Sequence, residues 1–132
     1  MVKQLHDMEM VVSAFVDAEI PQIEASAQAG FDVCEIHTGP YAHAFHETGG
    51  DVDHSVVATE LAKVAEAGAA IRGAGMRFNA GHGLNYLNVS PIASLEGLRE
   101  LHIGHAIISR AIFVGLREAV SLMKQLMTDS QG

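Results

Sequence analysis

Short runs of β-branched and apolar residues alternate along this chain with stretches of helical spacing, and that alternation limits the fold more than any single motif. Val11 to Val16 has strand length. After Asp17-Ala18-Glu19, Pro21 sits where a first helical turn tolerates it, so a helix is predicted to Ala29 with a stop at Gly30. Phe31 to His37 is the next extended run, and it breaks at Thr38-Gly39-Pro40, which reads as a turn. A His- and Gly-rich loop is expected to about Asp51, covering the segment from His43 toward His54. A long Ala-rich helix follows through Val56, Leu61, Val64 and Ile71, closed by Gly73 and Gly75. Met76 to Ala80 is the third strand, and Asn88 to Leu95 a short helix with Pro91 in its first turn. Leu101 to Ile103 is the fourth strand, and Ala106 to Met127 a helical pattern interrupted near Gly115. Val2 to Asp7 carries helix formers without a capping residue and reads as the tail of an amphipathic helix. Strand followed by helix, about four times over, predicts an α/β fold with a parallel sheet and right-handed crossovers. At 132 residues the chain is nevertheless short for a complete α/β barrel, which takes about 250.

Composition narrows the function. A net charge of −8 with only 8 Lys plus Arg argues against electrostatic binding to nucleic acid or to an anionic membrane surface. No apolar stretch approaches the roughly 20 residues of a membrane span. Cys34 stands alone, which excludes an intramolecular disulfide, and the N-terminus does not resemble a signal peptide. A cytoplasmic protein with small-molecule partners is expected.

Candidate chemistry gathers at the carboxyl ends of the expected strands, the side on which α/β barrels and open α/β sheets place ligands. Asn79-Ala80-Gly81-His82-Gly83 sets a titratable imidazole between two glycines where an extended run stops. His82 is either a functional acid or base or a loop histidine capping a carbonyl. Ile103-Gly104-His105 repeats the idea before a helix, where unpaired N–H groups and the positive end of the helix dipole make an anion site for phosphate. Glu35 and His37 share one face of their strand, while Cys34 and Ile36 share the other. Glu35 is therefore either a used carboxylate or half of a structural ion pair. His43, His46 and Glu47 have metal-ligand spacing, but no cysteine joins them and the segment reads as a flexible loop, so no metal site is expected. Ser109 lacks a nucleophile context and is expected on a helix surface or in packing, and Met123 and Met127 in packing.

Three segments in order carry a resemblance. They are Glu35-Ile36-His37-Thr38-Gly39-Pro40-Tyr41-Ala42, Asn79-Ala80-Gly81-His82-Gly83-Leu84-Asn85-Tyr86, and Leu101 through Ala111 with its Gly104-His105-Ala106-Ile107-Ile108 core. In these the chain closely resembles the pyridoxine 5′-phosphate synthase family from about Val11 to Met127. The resemblance implies the C-terminal half of a (β/α)8 TIM barrel: residues 1–10 would be the remnant of a preceding helix and residues 11–132 roughly four βα units. It also implies the family's reaction, in which 3-amino-2-oxopropyl phosphate condenses with 1-deoxy-D-xylulose 5-phosphate to give pyridoxine 5′-phosphate, phosphate and water, without metal or organic cofactor. His82 would be the general acid that protonates a departing oxygen, and Glu35 would stabilise a cationic or proton-transfer intermediate. Gly83, Gly104 and His105 would hold the aminoketone phosphate through backbone donors. The family's remaining acid and base groups and its second phosphate site belong to the N-terminal half, which leaves a non-catalytic phosphate-binding half barrel as the rival reading. A half barrel has two unpaired edges and is expected to present an apolar inner face. The chain is thus expected to form a homo-oligomer or to pair with an N-terminal half.

Overall fold

The structure, a computed structural model, describes residues 1–130. Helix α1 (Val2–His6) precedes strand β1 (Ser13–Val16), helix α2 (Ile20–Ala29) and strand β2 (Val33–His37). Helices α3 (Gly39–Glu47) and α4 (Ser55–Gly73) then lead to strand β3 (Arg77–Gly81), short helix α5 (Val89–Ala93) and strand β4 (Leu98–His102). Two helices, α6 (His105–Val114) and α7 (Leu116–Asp129), close the described chain. The four strands form one parallel sheet in the order β1-β2-β3-β4, as the alternation predicts. No helix among the described residues is long and apolar enough to cross a membrane.

Local chemistry accounts for the boundaries. Pro21 lies in the first turn of α2, and Gly30 ends that helix at φ 83°, its N–H bonding back to Ala27 O at 3.0 Å. The same proline rule overturns the turn expected at Thr38-Gly39-Pro40. Pro40 opens α3, whose Tyr41, Ala44 and Phe45 are buried at helical spacing. The expected loop therefore shrinks to the segment between Glu47 and Ser55, and His54 caps α4 by accepting from Val56 N–H. His43 and Glu47 become an exposed i,i+4 pair at 3.2 Å on α3. β4 begins three residues earlier than its apolar run suggests, and the last helical pattern splits in two at Gly115, whose φ of 83° suits glycine. Ser109 is exposed on α6, while Met123 is buried on α7.

The core lies between one face of the sheet and the helices. Ala14, Cys34, Ile36, Phe78 and Ala80 point from the strands toward Ile23, Val57, Val64, Ala67 and Ile71. Helix α4 approaches so closely that a Cβ on Gly68 would come within 2.5 Å of the Phe78 ring. Asp32, ahead of β2, accepts from Val12 N–H at 2.7 Å and sits 2.9 Å from His6 Nε2. That backbone bond first, and then His6, hold its carboxyl below the ordinary range.

The face opposite the helices differs from expectation. Register sets Phe15, Glu35, Asn79 and Glu100 in one row across the four strands, and His37, Gly81 and His102 in the next. With Arg77 beside them, these rows make the face polar rather than apolar. Period-two alternation is the cause: Ala14, Cys34, Ile36, Phe78 and Ala80 take the helix-covered side, and Glu35, Arg77, Asn79 and Glu100 fall on the other, beside Phe15 and Val33.

Candidate functional site

At the carboxyl ends of the strands an open cleft of about 520 Å³ is lined by Glu35, His82, Gly83, Gly104 and His105, together with Phe15 and His102. All five site residues expected from the sequence thus meet in one place. Gly104 caps the start of α6, where no side chain caps the helix, and His105 is its first residue. The free N–H groups of that turn open beside Gly83 in the same cleft.

His82 stands on a strained backbone. Its φ is 83°, an uncommon value for a residue with a Cβ, and Gly83 follows at 77°. Fixed partners surround the corner. Buried Thr38 Oγ1 lies 2.7 Å from the carbonyl oxygens of both Gly81 and His82 and donates to them, while Thr38 N–H donates to Gly81 O at 2.8 Å. Asn88 Nδ2 donates to Gly83 O at 3.2 Å, and Asn88 Oδ1 accepts from Asn85 N–H at 2.7 Å.

Glu35 reaches His102, which stands two strands away. Its Oε2 accepts from His102 Nδ1 at 2.6 Å, a short charge-assisted contact across β3. The path is open because residue 81 is glycine: a Cβ there would sit 2.7 Å from Glu35 Oε1 and 2.9 Å from the His102 carbonyl. Glu100 Oε2 lies 3.7 Å from His102 Nε2 and accepts from Asn79 Nδ2 at 3.3 Å. Asn79 Oδ1 is buried without a hydrogen-bond partner among the described residues.

Sequence reasoning singled out neither His102 nor Asp17, whose Oδ1 lies 3.1 Å from His37 Nδ1, nor the role of Thr38. His102 carried a usable signal, since it lies three residues before His105 at a strand end. Its partnership with Glu35 depends on register and is not visible in the chain order. Among the described residues, no three His, Cys, Asp or Glu side chains come together so as to hold a metal ion. Cys34 is buried on the opposite face, and that burial raises its thiol pKa.

Tyr41 underpins the corner from α3, donating to Asn88 O at 2.9 Å, and burial pushes its phenol up to about 12. A phenol whose folded pKa is raised adds stability that is fully present below its unfolded value of 10.0 and is lost as pH rises toward 12. Roughly 2–3 kcal/mol should disappear over that window, by the conversion of about 1.4 kcal/mol per pKa unit. Urea melts from pH 9 upward check this, and Tyr41→Phe is expected to flatten the decline.

A parallel sheet with helices on one face and a polar cleft at its strand ends defines an α/β protein built as part of a barrel, with the ligand side where barrels put it. The family model for the pyridoxal phosphate biosynthesis protein PdxJ matches residues 1–129, and the chain belongs to that family. Among its relatives, the pyridoxine 5′-phosphate synthase of Dechloromonas aromatica is 60% identical over 129 residues, covering 98% of this chain and 51% of that protein. The synthase of Aromatoleum aromaticum is 60% identical over 131 residues, with 99% and 52% covered. That of Rhodopirellula baltica is 48% identical over 126 residues, with 96% and 48% covered. The chain spans about half the length of the curated relatives it matches, and its four strands correspond to half of a TIM barrel.

Proposed function

We propose that this chain carries the proton donor and one phosphate site of a pyridoxine 5′-phosphate synthase, which joins 3-amino-2-oxopropyl phosphate to 1-deoxy-D-xylulose 5-phosphate with loss of phosphate and water. The supporting observation is the single cleft that gathers Glu35, His82, Gly83, Gly104 and His105 in a member of the PdxJ family. In this reading the N–H groups of Gly83, Gly104 and His105 bind the aminoketone phosphate, and His82 protonates the departing oxygen. Glu35, held by His102, stabilises a cationic or proton-transfer intermediate. No cofactor takes part, and the proposed setting is the cytoplasm. A ring closure needs further proton transfers, and a second acid–base set would come from the N-terminal half of the barrel.

Edges β1 and β4 are both open, and α6 buries none of its residues, leaving Ile108, Ile112 and Phe113 exposed. On its own the chain is expected to self-associate through these surfaces. A monodisperse monomer by light scattering at micromolar concentration would contradict that.

The coverage of about half of each relative favours one rival, a phosphate-binding half barrel without turnover. The two separate in a product assay with both phosphorylated substrates, run on the chain alone and then with the N-terminal half of the Dechloromonas aromatica relative added. Product in either arm supports the synthase reading. Phosphate binding without product in both arms supports the rival.

A further inference from the structure

His37 closes β2 one step beyond the Glu35 row, and the chemistry proposed for the cleft leaves it without a task. Its ring is fixed from several sides. Asp17 Oδ1, in the turn after β1, lies 3.1 Å from His37 Nδ1, and an ionised carboxylate only accepts, so Nδ1 carries the proton. The opposite nitrogen faces residue 39, where a Cβ would come within 2.5 Å of Nε2. Gly39 is outside the left-handed region, so its missing side chain serves to make room for the imidazole and not to permit a backbone conformation. Phe15 packs on the same ring, with centroids 5.4 Å apart at 68°.

Held in this way, His37 meets His82 edge to face, with centroids 4.7 Å apart and planes at 66°. The next residue, Thr38, binds the carbonyl of His82. Residues 37 and 38 therefore hold ring and backbone of the same histidine, and that histidine stands between two glycines at a positive φ. Without side-chain contact an imidazole on such a corner would exchange among its staggered rotamers. An acid that must come within hydrogen-bond reach of one oxygen gains from being kept in one of them.

We propose that His37, oriented by Asp17, is a positioning residue for His82 and holds its imidazole in a single rotamer toward the cleft. The proposal rests on the reading of His82 as the proton donor, since only a reacting ring needs such placement. The edge contact passes from the surface carboxylate of Asp17 through one ring to the next and requires no proton transfer between the two histidines.

The test uses the isotopically labelled full chain, with ring 15N–1H spectra and the χ1 couplings of His82. The parent should show one His82 rotamer and a His37 ring protonated at Nδ1. In His37→Ala the minor-rotamer fraction should rise roughly two- to tenfold, the range expected for loss of one aromatic contact. His37→Phe, which keeps a ring, should restore the single rotamer. Asp17→Ala changes a side chain that is 60% exposed and should preserve folding while mixing the His37 tautomers and loosening His82 to a lesser degree. Unchanged His82 couplings in both alanine variants overturn the proposal, as does rotamer averaging in the parent. If His37→Ala fails to fold, Asp17→Ala decides alone. The readout requires no turnover, so a firmly held His82 whose replacement left product formation intact would refute the proton-donor reading and not the positioning.

Discussion

Under the proposed synthase function, His82→Asn is expected to cut pyridoxine 5′-phosphate formation on the order of a hundredfold to ten-thousandfold, the range for loss of one acid–base group, while leaving phosphate binding essentially unchanged. Asparagine suits the site as a probe for a physical reason. Residue 82 has a φ of 83°, and asparagine is among the side chains that tolerate this region best, so the corner should keep its shape. Thr38 would still donate to the carbonyl of residue 82, and the N–H groups at Gly83 and Gly104 would stay where the cleft needs them. What disappears is the imidazole that would donate the proton. The measurement pairs product formation, in the preparation that turns over, with an amide titration of Gly83 and Gly104 by inorganic phosphate. Equal losses in both would move His82 out of proton transfer and into phosphate binding.

Most of the sheet was legible because parallel strands covered by helices announce themselves as short apolar runs, and each strand of the structure overlaps one of those runs. Boundaries shifted where chemistry outweighed hydropathy. β4 takes in Leu98, Arg99 and Glu100, because Phe78 and Asn79 lie opposite Leu98 and Glu100 in the ladder, with a register shift at Arg99 between them. Thr38-Gly39-Pro40 signals a turn and a helix start equally well, and tertiary burial of Tyr41 decides for the helix. The polar inner face could have been read from alternation, since Glu35 lies out of phase with Cys34 and Ile36, and Arg77 and Asn79 out of phase with Phe78 and Ala80, the residues that pack against the helices.

The site was legible in its corners and not in its links. His82 and the Gly104-His105 turn are visible because glycine next to histidine at a strand end is a local pattern. The pair Glu35 and His102 is separated by 67 positions, and it exists because β3 lies between their strands with glycine at residue 81. Gly81 thus has two roles. It ends the strand before the His82 corner, and its bare Cα clears the way for a carboxylate to cross from β2 to β4. A glycine judged from sequence alone suggests backbone freedom, whereas here φ is ordinary and space is the requirement.

Gly83 shows the opposite case, and its replacement by alanine is expected to destabilise the chain by about 2–5 kcal/mol. Two costs add. At φ 77° a Cβ meets the following carbonyl, a penalty of about 1–2 kcal/mol. The same Cβ would stand 2.7 Å from Ala42 Cβ on α3, and overpacking of this kind typically costs about 1–3 kcal/mol. Relief by moving α3 is resisted, because Tyr41 on that helix is buried and bonded to Asn88 O, and Asn88 in turn binds Gly83 O. The corner, its helix and the loop back to residue 88 therefore form one closed circuit, and strain at residue 83 has nowhere inexpensive to go. Urea unfolding gives the stability, and an inorganic phosphate titration gives the ligand side, where the displaced N–H should weaken binding even under conditions that keep the variant folded. Gly83→Ala with parental stability would mean that α3 can shift away from the corner. The phosphate titration would then show whether His82 and its neighbours move with it.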